Sequence, residues 1–152
     1  MRVCLQRVSE AWVRVLDELG AVREAGRIGP GLLALAGFAP GDGPEVLRWM
    51  AAKIADLRVF AGEGPGGFDR SLRETGGGLL VVSQFTLYGD ARKGRRPDFT
   101  AAAPFPEAEM LYRDFCDLCA AELPGRVANG EFGARMEVGL VNDGPVTLWL
   151  ER

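Results

Sequence analysis

The chain has 152 residues, a net charge of −3 and no histidine. This length is typical of one domain, so residues 1–152 are predicted to form a single unit. The small negative charge excludes a general attraction to nucleic acid, and any RNA binding must come from a local basic patch. No apolar run is long enough to cross a bilayer and the N-terminus lacks a signal-peptide core, which predicts a cytoplasmic protein with no membrane partner.

The first forty residues are predicted to form three strands. Residues 2–9 and 11–16 alternate polar and apolar side chains and are predicted to pair as a hairpin. Residues 20–31 hold four glycines and a proline, a composition that predicts turns. The apolar run Leu32–Phe38 is typical of a central strand.

A helix is predicted to follow, begun by Asp42-Gly43-Pro44, because Asp or Gly can cap a helix and proline fits its first turn. Its apolar side chains recur every three or four positions, at Leu47, Met50, Ile54 and Leu57. The next predicted elements are a strand at 58–60, a flexible loop at 62–67 and a short edge segment at 68–72.

The stretch 78–90 is the most informative part of the chain. Leu79–Val82 is an apolar run typical of a strand buried on both faces. Strand propensity continues into Ser83-Gln84-Phe85-Thr86, so three hydrogen-bonding side chains come at the end of that strand. Buried polar groups are costly without partners, so either the fold or a ligand must satisfy them.

A basic loop follows this polar strand end. It is either a solvated loop or, because of its position, a contact for phosphate. Its cations are Arg92, Lys93, Arg95 and Arg96.

A second helix is predicted over residues 106–123, and Pro124-Gly125 ends it. Residues 127–136 are predicted as a strand and turn, and two last strands are predicted at 136–142 and 146–150. Two helices cannot cover both faces of one parallel sheet. The predicted fold is therefore α/β, with two stacked, mostly mixed, barrel-like β-sheets and two main helices on one outer face, in three layers.

The lack of histidine excludes Ser-His and Cys-His nucleophile pairs and the usual histidine-containing zinc sites. Ser83 and Thr86 lie outside a G-x-S-x-G pattern, so hydroxyls that orient a ligand or bond the backbone are favoured over a nucleophile. Cys116 and Cys119 lie inside the second helix, where packing is favoured over redox chemistry. The carboxylates show no metal-like spacing, so no metal and no cofactor are predicted.

Asn142-Asp143-Gly144-Pro145 has two interpretations. These residues are strong turn formers, which favours a hairpin turn. The proline removes a hydrogen-bond donor and restricts Gly144, and a Gly-Pro bond can be cis at low cost, which favours a functional role. Composition alone favours the turn and leaves the functional role open.

Together, Ser83-Gln84-Phe85-Thr86 and Asn142–Thr147 resemble the motifs of the D-aminoacyl-tRNA deacylases, formerly called D-tyrosyl-tRNA deacylases. The likeness covers essentially the whole chain, including the runs MRVCLQRVSEAWV, KGRRPDFTAAAP and FGARMEV. Two separated motifs in the right order, with matching flanks, are a specific signal.

The resemblance implies an enzyme that hydrolyses D-aminoacyl-tRNA, and glycyl-tRNA mischarged on the tRNA for alanine. It implies a homodimer with its active sites at the interface and the acceptor end of aminoacyl-tRNA as its substrate. Ser83-Gln84-Phe85-Thr86 of one subunit would line the pocket, and a cis Gly144-Pro145 from the other would exclude L-side chains. The ribose 2′-hydroxyl and backbone amides would support the chemistry, so Thr86 is not expected to be an essential nucleophile.

The resemblance also assigns residues that bind the substrate. Phe132, Gly133 and Met136 match the family's segment near the terminal adenosine, and Asn142 is a further substrate-binding residue. The tRNA phosphates are predicted to contact Arg7, Lys93, Arg95 and Arg96. Arg135 stands where many members have an acidic or other polar residue and is given no role.

Two other functions stay open. One is a non-catalytic dimeric module that binds the end of tRNA with the same fold. The other is a small-molecule esterase that uses Thr86 with a nearby carboxylate.

Overall fold

The computed structural model describes residues 1–17, 19–62 and 67–152, so most of the loop predicted at 62–67 lies outside the described residues. The strands of this part of the chain are β1 (Arg2–Leu16), β2 (Val22–Ile28), β3 (Gly31–Gly37), β4 (Arg58–Phe60), β5 (Arg70–Ser71), β6 (Gly78–Ser83), β7 (Val127–Asn129) and β8 (Met136–Glu151). Its helices are α1 (Pro44–Asp56), α2 (Leu72–Thr75) and α3 (Phe105–Glu122), with a 3₁₀ turn at Phe85–Tyr88.

The first strand is continuous over 15 residues, so the predicted hairpin between 2–9 and 11–16 is wrong. The first half of β1 pairs with β3 and its second half pairs with β2, while β8 runs antiparallel along nearly all of it. This change of partner explains the break in the sequence pattern, because Ser9 and Glu10 are exposed at the point where one neighbour replaces the other.

Residues 22–28 form β2, which corrects the prediction of turns at 20–31. Gly26 lies within that strand because β7 approaches it closely. A Cβ atom at Gly26 would lie 3.0 Å from the carbonyl oxygen of Asn129 and 3.2 Å from the Cβ of Ala128. This glycine therefore allows the two ends of the sheet to meet, where composition had suggested a turn.

The main sheet has six strands in the order β2-β1-β3-β6-β7, with β8 paired to β1, and β4 and β5 form a separate pair. One core cluster lies between the sheet and helices α1 and α3, and a second lies within the curve of the sheet. The predicted mixed α/β, barrel-like fold with two main helices is confirmed. The two predicted sheet layers are parts of one curved sheet, and β1 belongs to both parts.

The strand β6 is buried on both faces, as predicted. Leu79 and Val81 belong to the cluster under the helices, and Leu80 and Val82 belong to the cluster within the sheet. Strand geometry stops at Ser83, however, and Phe85–Tyr88 forms the 3₁₀ turn, which corrects the prediction of a strand through Thr86.

Helix α1 begins at Pro44 after Gly43, and its apolar face buries Leu47, Met50 and Ile54. Helix α3 begins at Phe105, one residue before its predicted start. No helix among residues 1–17, 19–62 and 67–152 is long and apolar enough to cross a membrane.

The two cysteines of α3 are buried in the core, in agreement with the packing interpretation. Burial raises the pKa of Cys116 to about 12 and raises that of Cys119 above its ordinary value. Both side chains are therefore protonated thiols near neutral pH, and neither is an active nucleophile.

Candidate active site

A pocket of about 680 Å³ opens at the carboxyl ends of the parallel strands β3 and β6. Ligands of α/β sheets commonly bind at this end of parallel strands, where the chain leaves the sheet. Ala36 and Ser83 are paired neighbours there, and the backbone N–H of Gln84 donates to the carbonyl of Ala36 at 2.7 Å. The polar strand end predicted from the sequence thus forms one wall of a cavity.

Ser83, Gln84 and Phe85 all line this pocket. Phe85 is 57% exposed, and its ring meets the ring of Phe99 edge to face at 5.1 Å between centroids. Thr86 is exposed beside the pocket, and the side-chain amide of Gln84 donates a hydrogen bond to its hydroxyl oxygen. The amide of Gln84 is thereby oriented by its own chain.

The opposite wall is aromatic. The ring of Phe132 lies 5.1 Å from that of Phe105 and 5.7 Å from that of Tyr112, between centroids. Gly133 has a φ of +74°, and a Cβ atom there would lie 2.9 Å from the ring of Phe105. Only glycine leaves this face of the ring open.

The hydroxyl of Tyr112 holds the aromatic wall to the sheet. It lies 3.0 Å from the carbonyl oxygen of Val81 and 3.1 Å from that of Gly130. Burial raises the pKa of Tyr112 well above its ordinary value, so the hydroxyl stays protonated and can donate. Tyr112, on α3, thus fixes the position of the Phe132 ring that packs against it.

No ionisable side chain lines the pocket in the part of the chain that the structure describes. Its polar side chains are those of Ser83 and Gln84, and the rest of its lining is apolar, aromatic or glycine. A chain with no histidine and a pocket with no carboxylate has no conventional general base at this place. Backbone groups and the ligand's own polar atoms remain available for chemistry.

The Asn142–Pro145 segment is not a hairpin turn, which corrects the interpretation favoured by composition. β8 continues antiparallel to β1 on both sides of it. Gln6 pairs with Thr147 and Val8 pairs with Asn142, so Arg7 alone faces four residues of β8, 143–146. These four residues project from the strand as a bulge, and the Gly144-Pro145 bond within it is cis.

Two side chains hold the bulge. The Nδ2 of Asn142 donates to the Thr147 hydroxyl at 2.9 Å, and its Oδ1 accepts from the backbone N–H of Val146 at 3.3 Å. Asn142 therefore ties the two ends of the bulge together.

Arg7 holds the bulge from the neighbouring strand. Its Nε lies 3.0 Å from Oδ2 of Asp143 and donates to the carbonyl of Asp143 at 3.3 Å. Its Nη1 donates to the carbonyl of Val59 at 2.5 Å, and the side chain is only 14% exposed. The guanidinium predicted to meet tRNA phosphate is thus engaged within its own chain.

Within one chain, the bulge and the pocket are apart. Arg7, opposite the bulge, pairs with Leu32 at the start of β3, whereas Ser83 pairs with Ala36 at its end. The four residue-to-residue steps from Leu32 to Ala36 span about 13 Å of strand. Gly144 and Pro145 are exposed and do not line the pocket.

The basic loop begins next to the pocket. Backbone hydrogen bonds between Asp90 and Asp98 close its base, at 2.7 and 2.9 Å, and Phe99 follows directly and lines the pocket. Arg92 is paired with Asp90, and this guanidinium lowers the pKa of Asp90 to about 2. The other three cations of the loop are exposed: Lys93, Arg95 and Arg96.

The predicted site residues therefore fall into three groups. The pocket holds Ser83, Gln84, Phe85, Phe132, Gly133 and Met136, with Thr86 beside it. The bulge holds Arg7, Asn142, Gly144 and Pro145. The loop holds Lys93, Arg95 and Arg96.

Sequence reasoning missed Phe99 and Phe105 as parts of the pocket. A signal existed, because both flank the run of small residues Ala101-Ala102-Ala103, which leaves space between large rings. Arg135 is exposed, and its carbonyl accepts from the N–H of Leu16 at 2.9 Å. Among the described residues, no three His, Cys, Asp or Glu side chains gather as a metal site would require.

Comparison with known sequences gives one consistent family. The sequence model described as D-Tyr-tRNA(Tyr) deacylase matches residues 4–151. A protein of Stenotrophomonas maltophilia named D-aminoacyl-tRNA deacylase is 54% identical over 150 residues, which cover 99% of each chain. A protein of Cereibacter sphaeroides with the same name is 51% identical over 152 residues, again covering 99% of each chain.

Two solved structures share the fold. The structure titled c-Myc DNA Unwinding Element Binding Protein is 37% identical with a TM-score of 0.90, over 100% of this chain and 99% of that one. A structure titled as a probable eukaryotic D-amino acid tRNA deacylase is 22% identical with a TM-score of 0.76, over 98% and 97% of the two chains. At that identity, the second likeness concerns the fold alone.

Proposed function

Because this chain belongs to the D-Tyr-tRNA(Tyr) deacylase family, we propose that it hydrolyses the ester between a D-amino acid and the terminal ribose of tRNA. The observation that carries this function is the family match over residues 4–151, with the Ser83-Gln84-Phe85 motif lining a pocket of fitting size. The enzyme is thus a carboxylic ester hydrolase that acts on aminoacyl-tRNA. We expect one deacylase domain over residues 1–152 and a cytoplasmic location, where tRNA is charged.

The two walls of the pocket suit the two parts of the substrate. The aromatic wall around Phe132 and Phe105, left open at Gly133, offers rings on which the terminal adenine can stack. Stacking of a base on an aromatic side chain contributes about 1–3 kcal/mol. The ester and the amino acid would then lie toward Ser83, Gln84 and Phe85, and Met136 lines the same pocket.

We call Gly144-Pro145, which is proposed to exclude L-side chains, the chiral gate. This gate requires a second copy of the chain. Gly144-Pro145 lies about 13 Å of strand from the level of Ser83, so it cannot reach its own pocket. We infer a homodimer in which the bulge of each subunit enters the pocket of the other. The exposed apolar side chains of Phe85, Val141 and Trp149 support such an interface.

In this arrangement, chirality is selected by main-chain atoms. The bulge is braced by Arg7 and Asn142, so its carbonyl groups are fixed in position. A rigid carbonyl that occupies the space of an L-side chain excludes it by steric clash, and a D-amino acid points its side chain elsewhere. Glycine has no side chain to exclude, which is the basis for also proposing glycyl-tRNA mischarged on the tRNA for alanine as a substrate.

We propose that the chemistry proceeds without a side-chain base. The hydroxyl of Thr86 accepts from the Gln84 amide, and the described pocket offers it no base. We propose that the 2′-hydroxyl next to the ester assists the attack of water, and that backbone N–H groups of the 3₁₀ turn after β6 stabilise the oxyanion. The acyl–oxygen bond breaks, and the free amino acid and tRNA leave.

The exposed cations of the basic loop are proposed to bind the acceptor end of the tRNA. Lys93, Arg95 and Arg96 are free of the ion pair that occupies Arg92. Phosphate contacts of this kind position a nucleic acid without reading its sequence. Arg7, in contrast, is proposed to act on the bulge.

The direct test compares D- and L-aminoacyl forms of one tRNA, and measures the free amino acid released over time. Release from the D-form alone is the expected result. Equal release from both forms contradicts the chiral gate, and tight binding of both without release favours the non-catalytic tRNA-end module. Hydrolysis of simple esters that depends on Thr86 would favour the small-molecule esterase.

The shared site is tested with mixed dimers. One variant blocks the pocket (Gly133→Val) and the other disables the bulge (Gly144→Ala), and the two are unfolded and refolded together. Random pairing then gives about a quarter of wild-type activity, because half of the dimers hold one intact site. A mixture as inactive as its two components contradicts a site made from two chains.

A further inference from the structure

We propose that the enzyme also hydrolyses D-α-hydroxyacyl esters of tRNA, because none of the described residues that line its pocket carries a charge with which to bind the substrate's α-ammonium group. This inference rests on the proposed deacylase function and extends its substrate class. An α-hydroxyacyl ester differs from an aminoacyl ester only in carrying a hydroxyl where the amine would be. The two groups are close in size, and both can donate a hydrogen bond.

The pocket wall nearest the ester offers only neutral groups. Ser83 and Gln84 are its polar side chains, and the remainder is backbone, alanine, glycine and aromatic carbon. An ammonium ion moved from water into such surroundings loses solvation that no carboxylate restores. The pocket therefore favours the neutral form of the amine, which a hydroxyl can replace.

Three carboxylates on the segments that line the pocket are already engaged. On α3, Glu107 accepts from the N–H of Gly41 at 3.2 Å. In the turn before β8, Glu131 forms an ion pair with Arg23. On the basic loop, Asp90 is paired with Arg92.

Two further charged groups flank the site. Arg135, exposed between two pocket residues, is a cation and would repel an ammonium group. The proposed dimer brings Asp143 of the bulge to the neighbouring pocket. Asp143 forms an ion pair with Arg7 of its own chain at 3.0 Å. Neither provides a free negative charge.

The reaction balances without the amine. Water adds to the acyl carbon, the bond from that carbon to the ribose oxygen breaks, and the ribose oxygen takes up a proton. The products are the α-hydroxy acid and tRNA with a free terminal hydroxyl. No electron is transferred, and the α-substituent neither gains nor loses a bond.

The test uses D-phenylalanyl-tRNA and the D-phenyllactyl-tRNA obtained from it by deamination with nitrous acid. The value of kcat/KM for each is divided by its uncatalysed rate of hydrolysis, which removes the intrinsic difference between the two esters. We expect the two normalised values to agree within about 30-fold. A larger loss for the phenyllactyl ester would mean that a charged contact to the amine is essential, since removing one partner of a buried pair costs at least about that factor.

Chirality provides the control. L-Phenyllactyl-tRNA is expected to resist hydrolysis as L-phenylalanyl-tRNA does, because the gate acts on the side chain. Hydrolysis of D-phenylalanyl-tRNA without hydrolysis of D-phenyllactyl-tRNA overturns this inference and leaves the deacylase function intact. Failure on both D-substrates overturns the deacylase function itself, and this inference with it.

One variant tests the remaining charged group. Asp143→Asn removes the carboxylate of the bulge while keeping its size. We expect it to slow both D-substrates by the same factor, through the loosened bulge. A loss confined to the phenylalanyl ester would identify Asp143 as the partner of the ammonium group and overturn the inference.

Discussion

The pocket and the bulge differ in how their shape is maintained. The aromatic wall of the pocket is made of rings in contact, with Phe132 packed against Phe105 and Tyr112. The shape of the pocket therefore follows from close packing. The bulge stands exposed on β8, where few neighbours can pack against it, and hydrogen bonds and an ion pair from Arg7 and Asn142 hold it. In the proposed function, apolar surface would supply affinity and the braced bulge would supply selectivity.

This difference predicts different consequences of substitution. Changes in the pocket should alter how tightly any aminoacyl-tRNA binds. Changes in the bulge should alter the ratio of D- to L-activity, because a gate made of main-chain atoms works only while it is rigid. The ratio is therefore the measurement that separates the two regions.

The largest effect is expected for Gly144→Ala. Gly144 has a φ of +115°, and an added Cβ would lie 2.8 Å from Nη2 of Arg7 and 2.9 Å from Cγ2 of Val146. The bulge must shift to admit it, and a displacement of about 1 Å in a positioned group can cost about 100-fold in activity. We expect kcat/KM for D-aminoacyl-tRNA to fall by about that factor, measured by release of amino acid.

Gly41→Ala is the matched control. Gly41 also has a positive φ, +83°, but no atom lies within 4 Å of its Cβ position. Its substitution should lower the free energy of unfolding by about 1 kcal/mol from backbone strain and leave activity unchanged. If both variants lost activity equally, the loss in Gly144→Ala would be a matter of stability and not of the gate.

A smaller effect is expected for Arg7→Met, which keeps much of the side chain's bulk and removes its hydrogen bonds. The bulge loses its contacts to the guanidinium but keeps those made by Asn142. We expect D-activity to fall by about 10-fold and the D-to-L ratio to fall with it.

The salt dependence of this variant distinguishes the two roles considered for Arg7. A brace of the bulge leaves the slope of log KM against log salt unchanged. An arginine that binds tRNA phosphate lowers that slope by about one when it is removed, with the D-to-L ratio intact. The second pattern would contradict the role inferred from its hydrogen bonds.

The basic loop should give several-fold effects on binding and none on chirality. Lys93→Gln, Arg95→Gln and Arg96→Gln are each expected to lower the salt slope of tRNA binding by about 0.7 to 1. Arg92→Gln is the control within the same loop, because its guanidinium is already paired with Asp90. An effect of Arg92→Gln equal to the other three would show that the pair opens to receive phosphate.

Local patterns in the sequence predicted the pocket better than the bulge. The run Leu79–Val82 with its polar end was sufficient to predict a buried strand followed by polar groups that need the fold or a ligand as partner, because burial and polarity are both local properties. The positions of Phe99 and Phe105 across that cavity depend on how the chain returns to the sheet. The hydrophobic periodicity of a segment does not report where the segment lies in the tertiary structure.

The bulge shows where local patterns mislead. Asn142-Asp143-Gly144-Pro145 has the composition of a turn, yet β8 continues past it because β1 pairs with both flanks. The continuity of β1 over Ser9 and Glu10 was hidden for the same reason. A strand that pairs with different neighbours along its length changes which face is buried. A prediction from the alternation of polar and apolar residues therefore splits it into separate strands. The functional role proposed for the motif rests on the family resemblance and not on its composition.

The smallest effect is expected for Thr86→Ala. Its hydroxyl accepts a hydrogen bond from the Gln84 amide and lies beside a pocket with no base, so it contributes by orienting Gln84. We expect kcat/KM for D-aminoacyl-tRNA to change by about threefold or less, the effect of one exposed hydrogen bond. Gln84→Ala is the companion variant, and should cost at least as much because it removes the oriented amide itself. A loss of about 10³-fold in Thr86→Ala alone would restore this hydroxyl as the nucleophile, and selection by rigid main chain would then operate beside covalent catalysis.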